Sequence, residues 1–436
     1  MHLTLLLACN LPCSGTNCGT LYTAADLRLF HGATLAAGEV DPLTPDADLG
    51  DDESAGNDWA LTTGENVLLA GVPLLDEVRT IDADSFVTDP ALLTTRQTRL
   101  TGPVVGERFG AAIASLGAVR AVGAPLHSPS PARASAGAVY LYDAEENELG
   151  RLTGVLAQDR LGSVVAPCDD LDNDGARDFA AGAPWAAGLH GSVEFATGAN
   201  ATLLATIEGP AANARFGAAI TCGFAVVGAA GTDVVIAAPF EARENVAGAG
   251  TVYVYSTHRL DGDAVLAFGA PEPQSAGYFG AALAIGDIDA DGQNDLAVGA
   301  PGDDAGAGRV YLYTAGELTL SNIEKRTPTA RIISGTTGPA RLGTTLLFAD
   351  LNGDGADELI VGAPGNNPDG SNSSVQAGAA YVFDHISAFA GLDIADARTT
   401  VSAAEPYLRT GERIGAADID ADGEMDLFLL TQALTR

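Results

Sequence analysis

The chain has 436 residues, 47% of them hydrophobic and 18% charged, with 53 glycines and 21 prolines, a composition that supports a large core and excludes a disordered chain. The formal net charge of -35 excludes nucleic acid as a partner, because phosphate binding needs a cationic footprint. Aromatic residues, at 6%, offer few platforms for base stacking.

Residues Met1 to Ala8 form an apolar run that ends at Cys9. The stretch Leu6-Leu7-Ala8-Cys9 resembles the lipobox of bacterial lipoprotein signals, which implies lipid on Cys9 and a signal-like tether over 1–18. The run is shorter than a complete signal and has no positive flank, so an ordinary apolar tail is the alternative. No other stretch approaches the roughly 20 apolar residues of a membrane span. The remaining cysteines are Cys13, Cys18, Cys168 and Cys222, which allow three pairings. The preferred pairing is Cys13 with Cys18 and Cys168 with Cys222. No Cys-x-x-Cys spacing points to zinc. Lys325 is the sole lysine, so the arginine-rich basic set reads as genome composition.

From residue 19 onward one phrase recurs: an apolar strand, a loop, a second apolar strand, then Gly-Ala-Pro or a close variant. Its copies cover 108–125, 160–184, 215–239, 278–301 and 341–364, with a degenerate copy ending at Pro73 and a last one ending near Leu430. These seven copies are spaced by 52 to 67 residues, enough for four short strands each. After Gly-Ala-Pro comes a strand with tyrosines at period two, as at Tyr140/Tyr142, Tyr253/Tyr255 and Tyr311/Tyr313. A more polar fourth strand follows, such as that at 330–335. The proline ends the second strand because it cannot donate to a ladder.

Phe109-Gly110 with Gly123-Ala124-Pro125, and their counterparts, resemble the FG-GAP repeat of integrin alpha-subunit propellers. The resemblance covers roughly 19–436 and implies an all-β, seven-bladed β-propeller of four-stranded antiparallel blades. The last copy holds only strands near Arg413–Ala417 and Asp426–Leu430, so the last blade is expected to be shared between the two chain ends. The segments 18–23 and 26–32 are expected to supply its missing third and fourth strands, because an uncovered edge is a liability.

Four copies carry an acidic nonapeptide between their first and second strands. Oxygen side chains stand at positions 1, 3, 5 and 9, and glycine stands at position 6. The sets are Asp170, Asp172, Asp174, Asp178; Asp287, Asp289, Asp291, Asp295; Asp350, Asn352, Asp354, Glu358; and Asp418, Asp420, Asp422, Asp426. Alternate residues of a tight loop point inward together, and calcium takes six to eight oxygens at about 2.3–2.6 Å. The resemblance adds the position-seven carbonyls of Ala176, Gln293, Ala356 and Glu424. About four Ca²⁺ ions are therefore expected. The third loop should bind most weakly, since Asn352 is neutral and ligand charge tunes affinity. The other copies lack the set: 108–125 has a shorter connection, 215–239 keeps only Asp233, and the copy ending at Pro73 has no acids in register.

Catalytic patterns are absent from the sequence. It has no Gly-x-Ser-x-Gly elbow, no His-Glu-x-x-His and no Walker loop, and its six histidines are scattered. The reading that results is a non-enzymatic, monomeric binding or adhesion module, secreted or at the cell surface of a bacterium, with a protein or glycan ligand on a loop face. A propeller enzyme with a site over the central channel and a structural envelope lipoprotein are the alternatives.

Overall fold

The computed structural model describes residues 3–8, 22–24, 27–29, 39–40, 60–64, 67–73, 76–82, 98–224, 233–260, 262–315, 331–335, 338–366, 377–384, 392–402, 409–417 and 425–432. They form an all-β protein of several four-stranded antiparallel sheets, consistent with a β-propeller. Each of the four-stranded sheets is a meander whose strand order follows the chain. One runs Ala112–Ser115, Arg120–Ala124, Ala138–Tyr142, Glu148–Thr153. The next runs Val164–Pro167, Phe179–Ala183, Ser192–Ala196, Leu203–Glu208. A third runs Ala219–Phe224, Asp233–Ala238, Thr251–Ser256, Leu266–Phe268. The same meander begins at Ala60–Gly64, at Ala282–Gly286 and at Thr345–Ala349. The last two gain a short parallel fifth strand, Leu392–Asp393 and Glu39–Val40 respectively.

The first strands of neighbouring sheets lie against one another in chain order. Ala60–Gly64 touches Ala112–Ser115, the series continues to Thr345–Ala349, and that strand touches Arg413–Ala417, which returns to Ala60–Gly64. Two glycines explain how closely the sheets approach. A Cβ on Gly123 would collide with the carbonyl oxygen of Gly162 in the next sheet, and Gly162 itself sits at φ +84°. The Gly162 amide donates to the carbonyl of Gly182 at 3.1 Å. The same arrangement recurs at Gly299 and Gly343. The repeat therefore needs both of its glycines, one for close approach and one for backbone conformation.

Between sheets the repeat's aromatic residues make the core. Phe109, Phe216 and Phe279 are fully buried. Each meets a third-strand tyrosine edge-on: Phe109–Tyr140 at 5.7 Å, Phe216–Tyr253 at 5.6 Å and Phe279–Tyr311 at 5.3 Å. Cys168 and Cys222 form a disulfide joining two neighbouring sheets. Cys9, Cys13 and Cys18 lie outside the described residues.

The sheet holding both chain ends differs from the sequence expectation. Asp426–Gln432 pairs on one side with Arg413–Ala417 and on the other with Leu3–Ala8, antiparallel and in register from Leu3↔Gln432 to Ala8↔Leu427. Leu27–Leu29 then pairs parallel to Leu3–Ala8, and Tyr22–Ala24 lies outside it. The third strand is thus Leu3–Ala8 and not 18–23. The apolar run reaches six residues along the exposed ladder, whereas Tyr22–Ala24 spans three. The run Leu3–Ala8 is paired with Asp426–Gln432 in this sheet.

Candidate metal centres

Three of the four acidic nonapeptides fall among the described residues, each joining a first strand to a second. Their folding follows one plan. The first-position carboxylate accepts from amides four and five residues on. Asp170 accepts from Asp174 at 3.1 Å and Gly175 at 2.8 Å, and Asp287 from Asp291 at 3.1 Å and Gly292 at 2.8 Å. Asp350 accepts from Asp354 at 3.2 Å and Gly355 at 2.9 Å. The fifth-position carboxylates accept from the seventh amides: Asp174 from Ala176, Asp291 from Gln293, and Asp354 from Ala356. Gly175, Gly292 and Gly355 have φ between 83° and 90°, where a side chain is strained.

The ninth-position carboxylate is the buried one. Asp178, Asp295 and Glu358 are each at most 1% exposed. In every case one oxygen accepts from the second-position amide: Leu171 at 2.7 Å, Ile288 at 3.1 Å and Leu351 at 2.8 Å. In the first two loops the other oxygen reaches the end of the third strand, accepting from Gly198 at 2.9 Å and Ala315 at 3.0 Å. These amide donors carried no signal in the sequence, because glycine and alanine there act through backbone alone. Burial raises the Asp178 carboxyl, with the charges of Asp172 and Asp174 adding. Burial pushes Asp295 up to about 7, with Asp289 and Asp291 adding, and pushes Glu358 up to about 7 as well. Carboxylates in this setting are held charged by a cation or take up a proton.

The loops differ in which positions converge. Ligand atoms of Asp170, Asp172 and Asp178 lie within 4.8 Å of one another, as do those of Asp287, Asp289 and Asp291. In the third loop the Asn352 amide nitrogen donates to Glu358 Oε1 at 2.6 Å, and Arg398 stands 3.7 Å from the same oxygen. Part of that carboxylate's charge is already answered from within the protein. Asp418, Asp420, Asp422 and Glu424 lie outside the described residues, and only the backbone of Asp426, in strand Asp426–Gln432, is described. The donor set is entirely hard oxygen, without thiolate or imidazole, and it suits Ca²⁺ in chemistry and in the size of the gathered groups.

In three loops position eight makes a tie to the neighbouring sheet, a role the sequence pattern did not reveal. Asp357 accepts from the Asp287 amide at 2.9 Å, and its own amide donates to the Asp287 carbonyl at 2.8 Å. Asn294 donates to the Gly223 carbonyl at 3.0 Å, and the Met425 amide to the Asp350 carbonyl at 3.3 Å. Burial raises the Asp357 carboxyl, while the Asp287 amide opposes the shift.

The sheet that begins at Ala112–Ser115 and its flanking turns hold the one buried acid–histidine–tyrosine trio among the described residues. His127 Nδ1 lies 2.7 Å from Glu107, and the Tyr140 hydroxyl donates to Glu107 at 3.1 Å. Glu107, His127 and Tyr140 are 2%, 7% and 0% exposed, so the trio belongs to the core between sheets.

Comparison with known proteins places this geometry. The FG-GAP repeat family matches residues 279–313 and 342–383, the stretches holding the second and third loops. Human phosphatidylinositol-glycan-specific phospholipase D is 33% identical over 156 residues, covering 34% of this chain and 18% of that protein. Integrin alpha-PS2 of Drosophila melanogaster is 38% identical over 115 residues, covering 24% of this chain and 8% of that protein. Integrin alpha ina-1 of Caenorhabditis elegans is 34% identical over 156 residues, covering 31% and 13% respectively. The chain therefore matches under a fifth of the length of each of these relatives. No helix among the described residues is long and apolar enough to cross a membrane.

Proposed function

We propose that this chain, which carries FG-GAP repeats, is a calcium-loaded, seven-bladed propeller that binds a protein or glycan outside the cell or at its surface and performs no chemistry itself. The observation that carries the reading is the convergence of three carboxylates in each of two loops placed identically in their repeats. The circuit of first-strand contacts supports a closed ring of seven blades. The pairing of Leu3–Ala8 with Asp426–Gln432 supports a last blade shared between the chain ends.

The ions would be held by the carboxylates and amide oxygen at positions 1, 3, 5 and 9 of the four loops. The position-seven carbonyls of Ala176, Gln293, Ala356 and Glu424 would complete each set. Bound calcium neutralises charges that otherwise repel one another across the connection between two strands. It supplies rigidity and no reactive group. Metal analysis of chelator-stripped, reloaded protein should return about four ions, with dissociation constants near 10⁻⁴–10⁻³ M or somewhat tighter. A stoichiometry of zero or one overturns the calcium reading.

The relatives include a phospholipase by name, so a propeller enzyme is the competing function. The sealing of Glu107, His127 and Tyr140 in the core supports the non-catalytic reading of that trio. A lipid on Cys9 competes with the shared blade for the same residues, since cleavage before Cys9 would remove strand Leu3–Ala8. Mass analysis of the mature N-terminus separates the two: a chain beginning at modified Cys9 excludes the strand, and an intact Leu3–Ala8 excludes the lipobox.

A further inference from the structure

In the turns before six of the first strands, the residue two places ahead of the repeat glycine stands in left-handed backbone. The residues are Arg108, Arg160, Arg215, Tyr278, Arg341 and Arg409, with φ from 50° to 58°. The turns are closed by their own backbone, as where Ser163 donates to the Arg160 carbonyl at 3.2 Å and Ala218 to the Arg215 carbonyl at 3.1 Å. Glycine or asparagine fills such a position at least cost, and arginine brings no backbone advantage. Yet arginine takes five of the six, in a chain with 22 basic residues against 57 acidic ones. The side chain accounts for that choice.

These turns lie at the opposite end of the sheets from the acidic loops, because they precede the first strand whereas the loops follow it. Across three successive sheets the side chains stack into a ladder. The Arg160 guanidinium lies 4.8 Å from the Trp185 ring, and Arg215 lies 5.4 Å from Trp185 and 4.2 Å from Phe240. Phe240 then meets Tyr278 at 4.9 Å. Trp185 and Phe240 directly follow Pro184 and Pro239, so both halves of the ladder occupy fixed repeat positions. Phe240 is 38% exposed and the other four are half-buried. Arg409, at the same repeat position, is engaged by Glu412 at 2.8 Å. Arg160 and Arg215 have no carboxylate within ion-pair reach among the described residues, and Arg160 Nε is buried there without a hydrogen-bond partner.

We propose that the ladder Arg160–Trp185–Arg215–Phe240–Tyr278 is a binding platform for a glycan bearing carboxylate sugars. The inference rests on the binding-module reading and names the ligand class. A guanidinium stacked on a ring is held in plane and presents its N–H edge, which suits bidentate capture of a carboxylate. The part of Phe240 left exposed beside Arg215 and Tyr278 offers apolar surface to a pyranose ring, which a flexible acidic peptide lacks. The protein's surplus negative charge acts against a long polyanion. A short acidic glycan in contact meets mainly the local arginines, since charges beyond about 8 Å are screened at physiological salt.

The test is calorimetry on the calcium-saturated full chain with three probes. They are a hexasaccharide of glucuronate alternating with N-acetylglucosamine, its carboxyl-reduced neutral form, and a hexaglutamate peptide. The acidic sugar should bind, with the neutral form and the peptide each at least tenfold weaker. Arg215→Ala should weaken the acidic sugar at least tenfold. Arg215→Lys, which keeps charge but loses the planar fork, should recover only part. Arg151→Ala, on an outer strand, should leave binding unchanged. Equal binding of the acidic and neutral sugars, tighter binding of the peptide, no binding of the acidic sugar at millimolar concentration, or indifference to Arg215→Ala overturns the proposal. A thermal shift with calcium, run in parallel on every variant, reports folding. A protein that responds to calcium but ignores the sugar overturns this inference alone, whereas one that responds to neither overturns the calcium reading too.

Discussion

The sheet that begins at Ala112–Ser115 and the one that begins at Ala282–Gly286 share strand order and aromatic packing but close differently at one end. In the first, Leu116 donates to the Val119 carbonyl at 2.8 Å and a tight turn suffices. In the second, nine residues from Asp287 to Asp295 fold around their own carboxylates. The strands pair alike in both sheets, and only the connection between the first strand and the second differs. The sheet holding Asp233–Ala238 stands between these cases. It lacks the other acids in register yet keeps Asp233, 1% exposed, where the loops have their ninth residue. A buried ninth-position carboxylate therefore occurs with or without the other acids, whereas those at the first, third and fifth positions occur only with the long loop.

Removing calcium should have the largest effect, and a local one. Each site saturated at a hundred times its dissociation constant contributes about 2.7 kcal/mol. Chelator should lower the melting temperature by several degrees or more. Hydrogen exchange should rise in 164–183, 282–300 and 345–363 while 112–142 stays protected. Equal loosening of 112–142 would erase the contrast between the two kinds of sheet.

Point variants at one loop sharpen it. Asp295→Ala strands two buried amides and should cost about 3 kcal/mol even without calcium. Asp291→Ala, at an exposed residue, should cost under about 1 kcal/mol without calcium and yet abolish that site. Chemical denaturation with and without the ion checks both. Equal losses for the two variants without calcium would deny the ninth position its structural part.

Acidity should act oppositely on the stripped and loaded protein. Asp295 and Glu358 are pushed up to about 7 by burial in the metal-free fold, as is Glu194 by burial and the Asp159 charge. Unfolded carboxyls titrate near 4, so between about pH 4 and 7 the folded state binds more protons. Stripped protein should then gain stability as pH falls from 7.5 to 5, by roughly 2 kcal/mol for each of these carboxyls, and lose it again as pH rises through 7. Loaded protein should lose stability over the same descent, because protons displace the ion. Melting curves at both pH values, each with calcium and with chelator, test the crossing. Parallel slopes would remove the link between these carboxyls and the metal.

The smallest effect concerns the third loop. Asn352→Asp should tighten its calcium affinity roughly tenfold by restoring a carboxylate. Arg398→Ala should tighten it a few-fold by freeing Glu358. Titration of each variant reads the change, and an unaltered third-loop affinity in both would show that Asn352 and Arg398 do not limit that site.

Much of this was legible in the chain because it is local. The repeat period, the Phe109-Gly110 and Gly123-Ala124-Pro125 signatures, the alternation of Tyr311 and Tyr313, and the loop from Asp287 to Asp295 all follow from residues near one another in sequence. Backbone conformation and strand alternation act over that range. The tertiary structure alone decided what depends on which sheet stands beside which. It set Leu3–Ala8 against Asp426–Gln432, Asp357 against Asp287, and Arg215 between Trp185 and Phe240. Those contacts join separate copies of the repeat, and an amide or a guanidinium in one copy carries no mark of its partner in another. Packing supplies the partner, because neighbouring sheets approach closely enough for glycine carbonyls and ring edges to meet.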